Sequence, residues 1–196
     1  MVILSSSGFQ INDKCGELKK LVRNRKVFIC NNAIERPLYK KKHFQNIQQN
    51  IGELVARVDE GELTVENAFK YTEYYDCIYL AEGNLRILSD TLKRKDIESA
   101  LRNFINSGKT LITEGIAGHL LCADLDYLNF IANTIDQPKI YDHINYAILT
   151  SLQLTKEKYI FHVNKLKKSL KGACKLAEKH YRTTINLLND GEMVVL

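Results

Sequence analysis

One stretch, Lys109-Thr-Leu-Ile-Thr-Glu-Gly-Ile-Ala-Gly-His-Leu-Leu-Cys122, constrains the fold more than any other. A helix-ending Ser107-Gly108 precedes a β-rich run from Thr110 to Thr113. The chain then meets the small residues of Gly115-Ile116-Ala117-Gly118 and resumes with helical character. Strand, abrupt corner and helix is an arrangement by which a sheet lifts one side chain clear of its carboxyl edge. Small residues let the backbone turn and let strand and helix approach closely. The apex of this corner is Gly115, which has no side chain. The geometry of a nucleophile elbow is therefore expected without the nucleophile.

The flanking chain alternates strands and helices. Val2 to Leu4, Lys26 to Asn31 and Cys77 to Ala81 are apolar runs expected as strands, with a weak strand around Val55 to Val58. Helices are expected from Asn12 or Asp13 to about Arg23, from Pro37 to about Ala56, and from Val65 to Tyr75. Leu85 to Leu92 and Ile97 to Ile105 suit two more, the second capped by Asp96. Further on, Asp124 to Ile135 reads as irregular or partly helical and Asn145 to Leu149 as a strand. Thr155 to about Ser169 reads as an amphipathic helix. Asn189-Asp190-Gly191 joins Thr184–Leu188 to Met193–Leu196 as a closing β-hairpin. The result is an α/β three-layer sandwich with a mainly parallel sheet, helices on both faces and a C-terminal β-hairpin. In such sheets ligands sit beyond the carboxyl ends of the strands. The turns Ser5–Gly8, Asn31–Ala33, Glu82–Asn84 and Glu114–Gly118 should converge there.

Composition narrows the function classes. A chain of 196 residues with 45% apolar content can bury one substantial core, so residues 1–196 are expected to form one domain. Met1-Val-Ile-Leu-Ser suits a first strand and is too short for a signal peptide, and no apolar run has the length of a membrane span. The five cysteines form no CxxC pair, which suits free thiols in a cytoplasmic protein. The histidines show no metal-ligand spacing, and there is no glycine-rich phosphate loop, so neither metal nor cofactor is expected. The net charge of +5 is unevenly placed. Lys19 to Lys42 carries nine Lys/Arg against Glu35, and Lys156 to Arg182 nine against Glu157 and Glu178. These clusters are expected to be solvated helix faces. A module for nucleic acid or an acidic partner would need them on one surface.

Leu4-Ser-Ser-Ser7, Ile78-Tyr-Leu-Ala-Glu-Gly-Asn84 and Gly108 through Gly118, in this order and spacing, resemble the dipeptidase E and cyanophycinase family of serine peptidases. The resemblance spans roughly Val2 to Val195 and implies the class I glutamine amidotransferase-like fold. It puts the family's Gly-Gly-Asn-Thr turn at Glu82-Gly83-Asn84-Leu85 and its nucleophilic serine at Gly115. Spacing carried forward from Tyr141-Asp142 puts the family's histidine at Ser151. The orienting acid falls near Ala132, with Asp136 close by. All three catalytic positions thus read as degenerate, and Glu82 replaces a glycine beside the oxyanion turn.

The resemblance therefore implies a serine-peptidase homologue that has become a pseudoenzyme, with a binding or regulatory role. A small peptide or amino-acid-like ligand is a candidate partner, in a monomer or homodimer; nucleic acid and membrane are not expected. Glu82, Gly83, Asn84, Glu114, Gly115 and Ile116 are the candidate crevice residues. Glu114 reads as a structural acid held by backbone donors or as a crevice acid/base. Glu82 would either block the vacated site or mark a ligand carrying an amine or a cation. The alternative is an active hydrolase with a displaced nucleophile, Cys122 near His119, or Cys30.

Overall fold

The computed structural model describes residues 1–10, 16–134, 146–165 and 168–196. Five parallel strands form most of the main sheet: β1 (Val2–Ser5), β2 (Lys26–Cys30), β3 (Arg57–Gly61), β4 (Cys77–Leu80) and β5 (Thr110–Glu114). A later strand, β8 (Met193–Val195), closes it antiparallel to β1, giving the order β3-β2-β4-β5-β1-β8. Two short strands, β6 (Lys158–Ile160) and β7 (Ile185–Leu187), pair in parallel as a separate ribbon.

The inner strands are buried at nearly every position, including the polar Ser5, Thr110, Thr113 and Glu114, because both of their faces are covered. Alternate side chains leave opposite faces of a strand. Ile3, Val27, Ile29, Cys77, Tyr79 and Ile112 pack with Leu18 and Val22 of α1 (Gly16–Val22) and Ile47 and Ile51 of α2 (Pro37–Ile51). Val2, Leu4, Phe28, Cys30, Ile78, Leu80 and Leu111 face the larger core. That core receives α3 (Ala68–Tyr74), α4 (Leu85–Leu92), α5 (Lys95–Asn106), α6 (Asp126–Thr134) and α7 (Lys168–Tyr181). Three layers result, as expected from the alternation of strand and helix.

Several local expectations shift. The edge strand β3 forms over Arg57–Gly61 rather than Val55–Val58, since Lys26 to Cys30 pairs with that register. Arg94, not Asp96, stands at the N-cap position of α5 and makes no side-chain capping bond; Asp96 lies in the first turn, where its charge still favours the helix. Tyr146–Ile148 is a short 3-10 turn, not part of a strand. The largest correction falls on Thr155–Ser169, which is not one helix. It divides into β6, a 3-10 turn at Val163–Lys165 and the start of α7. Its apolar residues fit a helical stripe, but Tyr159, Ile160 and Phe161 are all buried against the large core in extended chain. Asn12, Asp13 and Asp136 lie outside the described residues.

The chain reverses at Asn189–Glu192, with the Glu192 N–H donating to Asn189 O at 3.0 Å. The strands flanking this turn go to different sheets, β7 to β6 and β8 to β1. The turn is consequently drawn onto the loop after β1: Ser6 N–H donates to Glu192 O at 3.0 Å and Gly191 N–H to Ser7 Oγ at 3.0 Å.

Tyr127 on α6 fixes where β6 lies. Its hydroxyl donates to Tyr159 O at 2.7 Å and accepts from Tyr159 N–H at 3.2 Å, all in a buried setting. Removing the oxygen would strand two buried backbone groups. Tyr127→Phe is expected to destabilise the fold by about 1–3 kcal/mol, read from urea unfolding; an unchanged midpoint would show that β6 is placed by packing alone.

Candidate functional site

The carboxyl-end turns converge as expected. The turn after β4 docks on the turn after β2, where Asn84 N–H donates to Ala33 O at 2.8 Å. A Cβ on Gly83 would overlap that same carbonyl, so the close approach needs glycine. Asn84 caps α4 by accepting from Arg86 N–H at 3.0 Å, and its Nδ2 donates to Glu35 Oε1 at 2.8 Å. The corner after β5 is a tight one, with Gly115 at φ +49° opening a 3-10 helix over Gly115–Leu121. The elbow is formed and its apex carries no side chain. Ile116, the next residue, is partly buried against the large core.

Around that apex three side chains meet that are far apart in sequence. His162, just after β6, points its Nε2 at Glu82 Oε2 at 2.9 Å and its Nδ1 at Asp190 Oδ1 at 2.6 Å. A Cβ built on Gly115 would overlap Glu82 Oε2 and stand 2.5 Å from His162 Nε2. Glu82 thus fills the space into which an elbow side chain would project. Asp190 is buried and also accepts from Asn164 Nδ2 at 3.2 Å and pairs with Lys165 Nζ at 3.0 Å. His162 is held by its own backbone in the left-handed region at φ +57°, with its N–H donating to Ser6 Oγ at 2.8 Å. The structure therefore brings His162, not Ser151, to the elbow, and sets Asp190 behind it. Ser151 lies beside Leu152, whose N–H bonds Leu120 O, and Ala132 packs from α6 against the large core. Read as an amphipathic helix, Thr155–Ser169 would place His162 among polar neighbours on its solvated side. The strand and the left-handed residue after it turn this histidine inward instead.

Both ring nitrogens of His162 face carboxylates, an arrangement that a doubly protonated imidazolium satisfies. Burial alone would lower this imidazole, but the hydrogen bonds to Glu82 and Asp190 outweigh it and hold it above its ordinary 6.5. Asp190 is held below 3.8 although burial opposes it, chiefly by His162 and then Lys165. Below the elbow lies a second pair. Glu114, at the end of β5, is fully enclosed; its Oε2 faces His43 Nε2 of α2 at 2.7 Å and accepts from Glu82 N–H at 3.2 Å. Burial also works against the charge on His43, yet contact with Glu114 holds its imidazole above 6.5. Glu114 is thus at once a structural acid with a backbone donor and the partner of a histidine that reaches the crevice. The Glu82 N–H, a candidate oxyanion donor, is already engaged by it.

A cleft of about 670 Å³ opens in front of Glu82, Gly83 and Asn84. Arg36, Tyr39, Lys42 and His43 line its α2 side and Gln10 another wall. Its size is that of a small-molecule site.

The displaced-nucleophile candidates do not reach this cleft's chemistry. Cys122 and Cys30 are both fully buried. Burial pushes the Cys122 thiol up to about 12 and the Cys30 thiol up to about 11, which removes thiolate character. His119 is equally buried, against Phe161 and Tyr127, and desolvation pushes its imidazole down to about 3. Among the described residues no group of His, Cys, Asp and Glu is arranged to hold a metal ion. No described helix is long and apolar enough to cross a membrane. The helices that carry part of the two basic clusters, α1 and α2 for the first and α7 for the second, pack on opposite faces of the sheet.

With this geometry, the fold is an α/β three-layer sandwich that solved structures share. The chain superposes on a crystal structure from Listeria monocytogenes EGD-e that carries the provisional name peptidase E. The TM-score is 0.69 at 18% identity, covering 100% of this chain and 93% of that one. A peptidase from an acI-B1 actinobacterium matches with TM-score 0.61 at 16% identity, over 88% of this chain and 73% of that one. No protein-family model and no curated protein matches the sequence.

The two carboxylates define a pH response. A raised imidazole stabilises the folded chain below its ordinary value, and that contribution is lost as pH rises through the folded value. The depressed Asp190 contributes above its ordinary value and is lost as pH falls through the depressed one. By proton NMR, the His162 ring resonance is expected to titrate above 6.5. Asp190→Asn should lower that midpoint, because the Asp190 carboxylate is one of the two partners that raise it; a midpoint at or below that of a free histidine in the unmodified chain would refute the clamp.

Proposed function

We propose that this chain is a dipeptidase E-like protein that has lost serine-peptidase chemistry and uses its crevice to bind a small peptide or amino-acid-like ligand. One observation carries the proposal: the Glu82 carboxylate occupies the space that a nucleophile on residue 115 would need. Acyl transfer in a serine peptidase needs a hydroxyl, a histidine free to take its proton, and backbone donors for the oxyanion. Here the hydroxyl is absent. The nitrogen of His162 that would accept the proton is occupied by Glu82. The Glu82 N–H is spent on Glu114, and a carboxylate beside a developing oxyanion would repel it.

His162 and Asp190 read as the surviving half of a triad, kept because Glu82 gives the imidazole a new partner. Glu82 remains partly exposed, with 37% of its side chain accessible, and so presents a negative group to the cleft. An amine is the ligand feature it complements, and Arg36 and Lys42 across the cleft complement a carboxylate.

The test is a reconstruction. The unmodified chain is expected neither to hydrolyse aspartyl dipeptides nor to react with a fluorophosphonate. Gly115→Ser alone should stay unreactive, because Glu82 crowds the new side chain. Gly115→Ser combined with Glu82→Gly should acquire fluorophosphonate labelling at residue 115, removed again by His162→Gln. Hydrolysis or labelling by the unmodified chain would overturn the proposal, and a folded but unreactive double variant would show that His162 and Asp190 are not the remnant of a triad.

A further inference from the structure

We infer that the α2 wall of the cleft contains an oxyanion subsite, formed by Nδ1 of His43 and Nε2 of Gln10 and flanked by Lys42. It deepens the binding reading above by naming what one end of the ligand must carry.

The first donor is His43. Its Nε2 is committed to Glu114 at 2.7 Å, while its Nδ1 is buried and has no partner among the described residues. While the pair retains its shared proton, two arrangements are possible. The proton lies on the imidazole, which is then an imidazolium with Nδ1–H, or it lies on Glu114, which then donates to Nε2 of the Nδ1–H tautomer. In both, Nδ1 carries a hydrogen with nothing to receive it.

The second donor is Gln10. Its Oε1 accepts from Asn46 Nδ2 at 3.3 Å, which leaves the amide nitrogen as the free end; that nitrogen too is buried and unpartnered. Asn50 Nδ2 holds Phe9 O at 2.7 Å. His43, Asn46 and Asn50 follow one another along a single face of α2. The Phe9–Gln10 segment is therefore stapled onto the face that bears His43, and both residues line the cleft.

A buried donor without an acceptor is costly, and two such donors on residues that line one cleft call for an acceptor from outside. The nearby charges specify it. Lys42 and Arg36 favour an anion, while Glu82 and Glu35 on the same cleft disfavour high negative charge. Glu35 is held by Asn84 and Glu82 by His162, so neither carboxylate can turn to satisfy the α2 donors without breaking a contact. A compact oxyanion group, carboxylate or phosphate, on a small ligand fits these demands.

The experiment is a side-chain NMR titration of the full chain at constant ionic strength, with sodium acetate in one arm and inorganic phosphate in the other. Saturable shifts confined to the His43 ring and the Gln10 amide are expected in at least one arm; the arm that saturates names the group. Gln10→Glu keeps an oxygen for Asn46 but replaces the donor with a carboxylate, and should weaken that binding by about tenfold or more. His43→Gln leaves Glu114 buried without its partner and is expected to destabilise the fold, so Gln10→Glu carries the test and Lys42→Glu, on the surface, seconds it. Absence of saturable shifts in both arms, or equal affinity in the folded Gln10→Glu chain, overturns the subsite. Fluorophosphonate labelling of the unmodified chain would instead overturn the binding-only reading, whatever the anions do.

Discussion

His162 stands between two carboxylates, and the site depends on that arrangement. Asp190 holds one nitrogen and Glu82 the other, so a ring that would be disfavoured as a buried cation is stabilised as one. The same contact explains why residue 115 is glycine: the Glu82 carboxylate that completes the clamp lies where a Cβ would be. Glu82 and Gly115 are thus a matched pair of residues, each making the other tolerable. Breaking a paired, partly desolvated charge is costlier than never placing it there, which locks the arrangement in.

A second layer of pairing lies beneath the first. Glu114 is buried at the end of β5 and is tolerated because His43 and the Glu82 N–H share its oxygen. Through the Glu82 backbone the two histidine–carboxylate pairs are contiguous, running from α2 across the elbow to the C-terminal turn. The sheet beneath them is covered on both faces. The cleft is therefore walled by fixed charges of both signs rather than by a flexible apolar surface, which suits recognition of a small charged ligand.

Two solved structures that share this fold do so at under one-fifth identity. What is shared at that distance is the fold. The chemistry at the elbow is decided by a few side chains, and a fold does not carry it by itself.

Much of the architecture was legible from local pattern. Cys77–Leu80 is an unbroken apolar run because it is a central parallel strand, Thr110–Thr113 is β-rich, and the Gly115 corner is visible because it needs small residues. The convergence of Glu82, Gly83, Asn84, Glu114 and Gly115 followed from strand polarity alone. His162 and Asp190 were not legible as partners. Tyr159, Ile160 and Val163 match a helical stripe as well as they match a buried strand and turn, and only packing against Tyr127 and the large core selects the latter. The hairpin signal at Asp190-Gly191 was read correctly as a reversal, but not as the turn that delivers Asp190 to the site. The sequence by itself determined the layers and the empty apex, because those depend on local periodicity and on residues next to one another. The tertiary structure alone decided what fills the apex, because Glu82, His162 and Asp190 meet only after strands from distant parts of the chain are stacked.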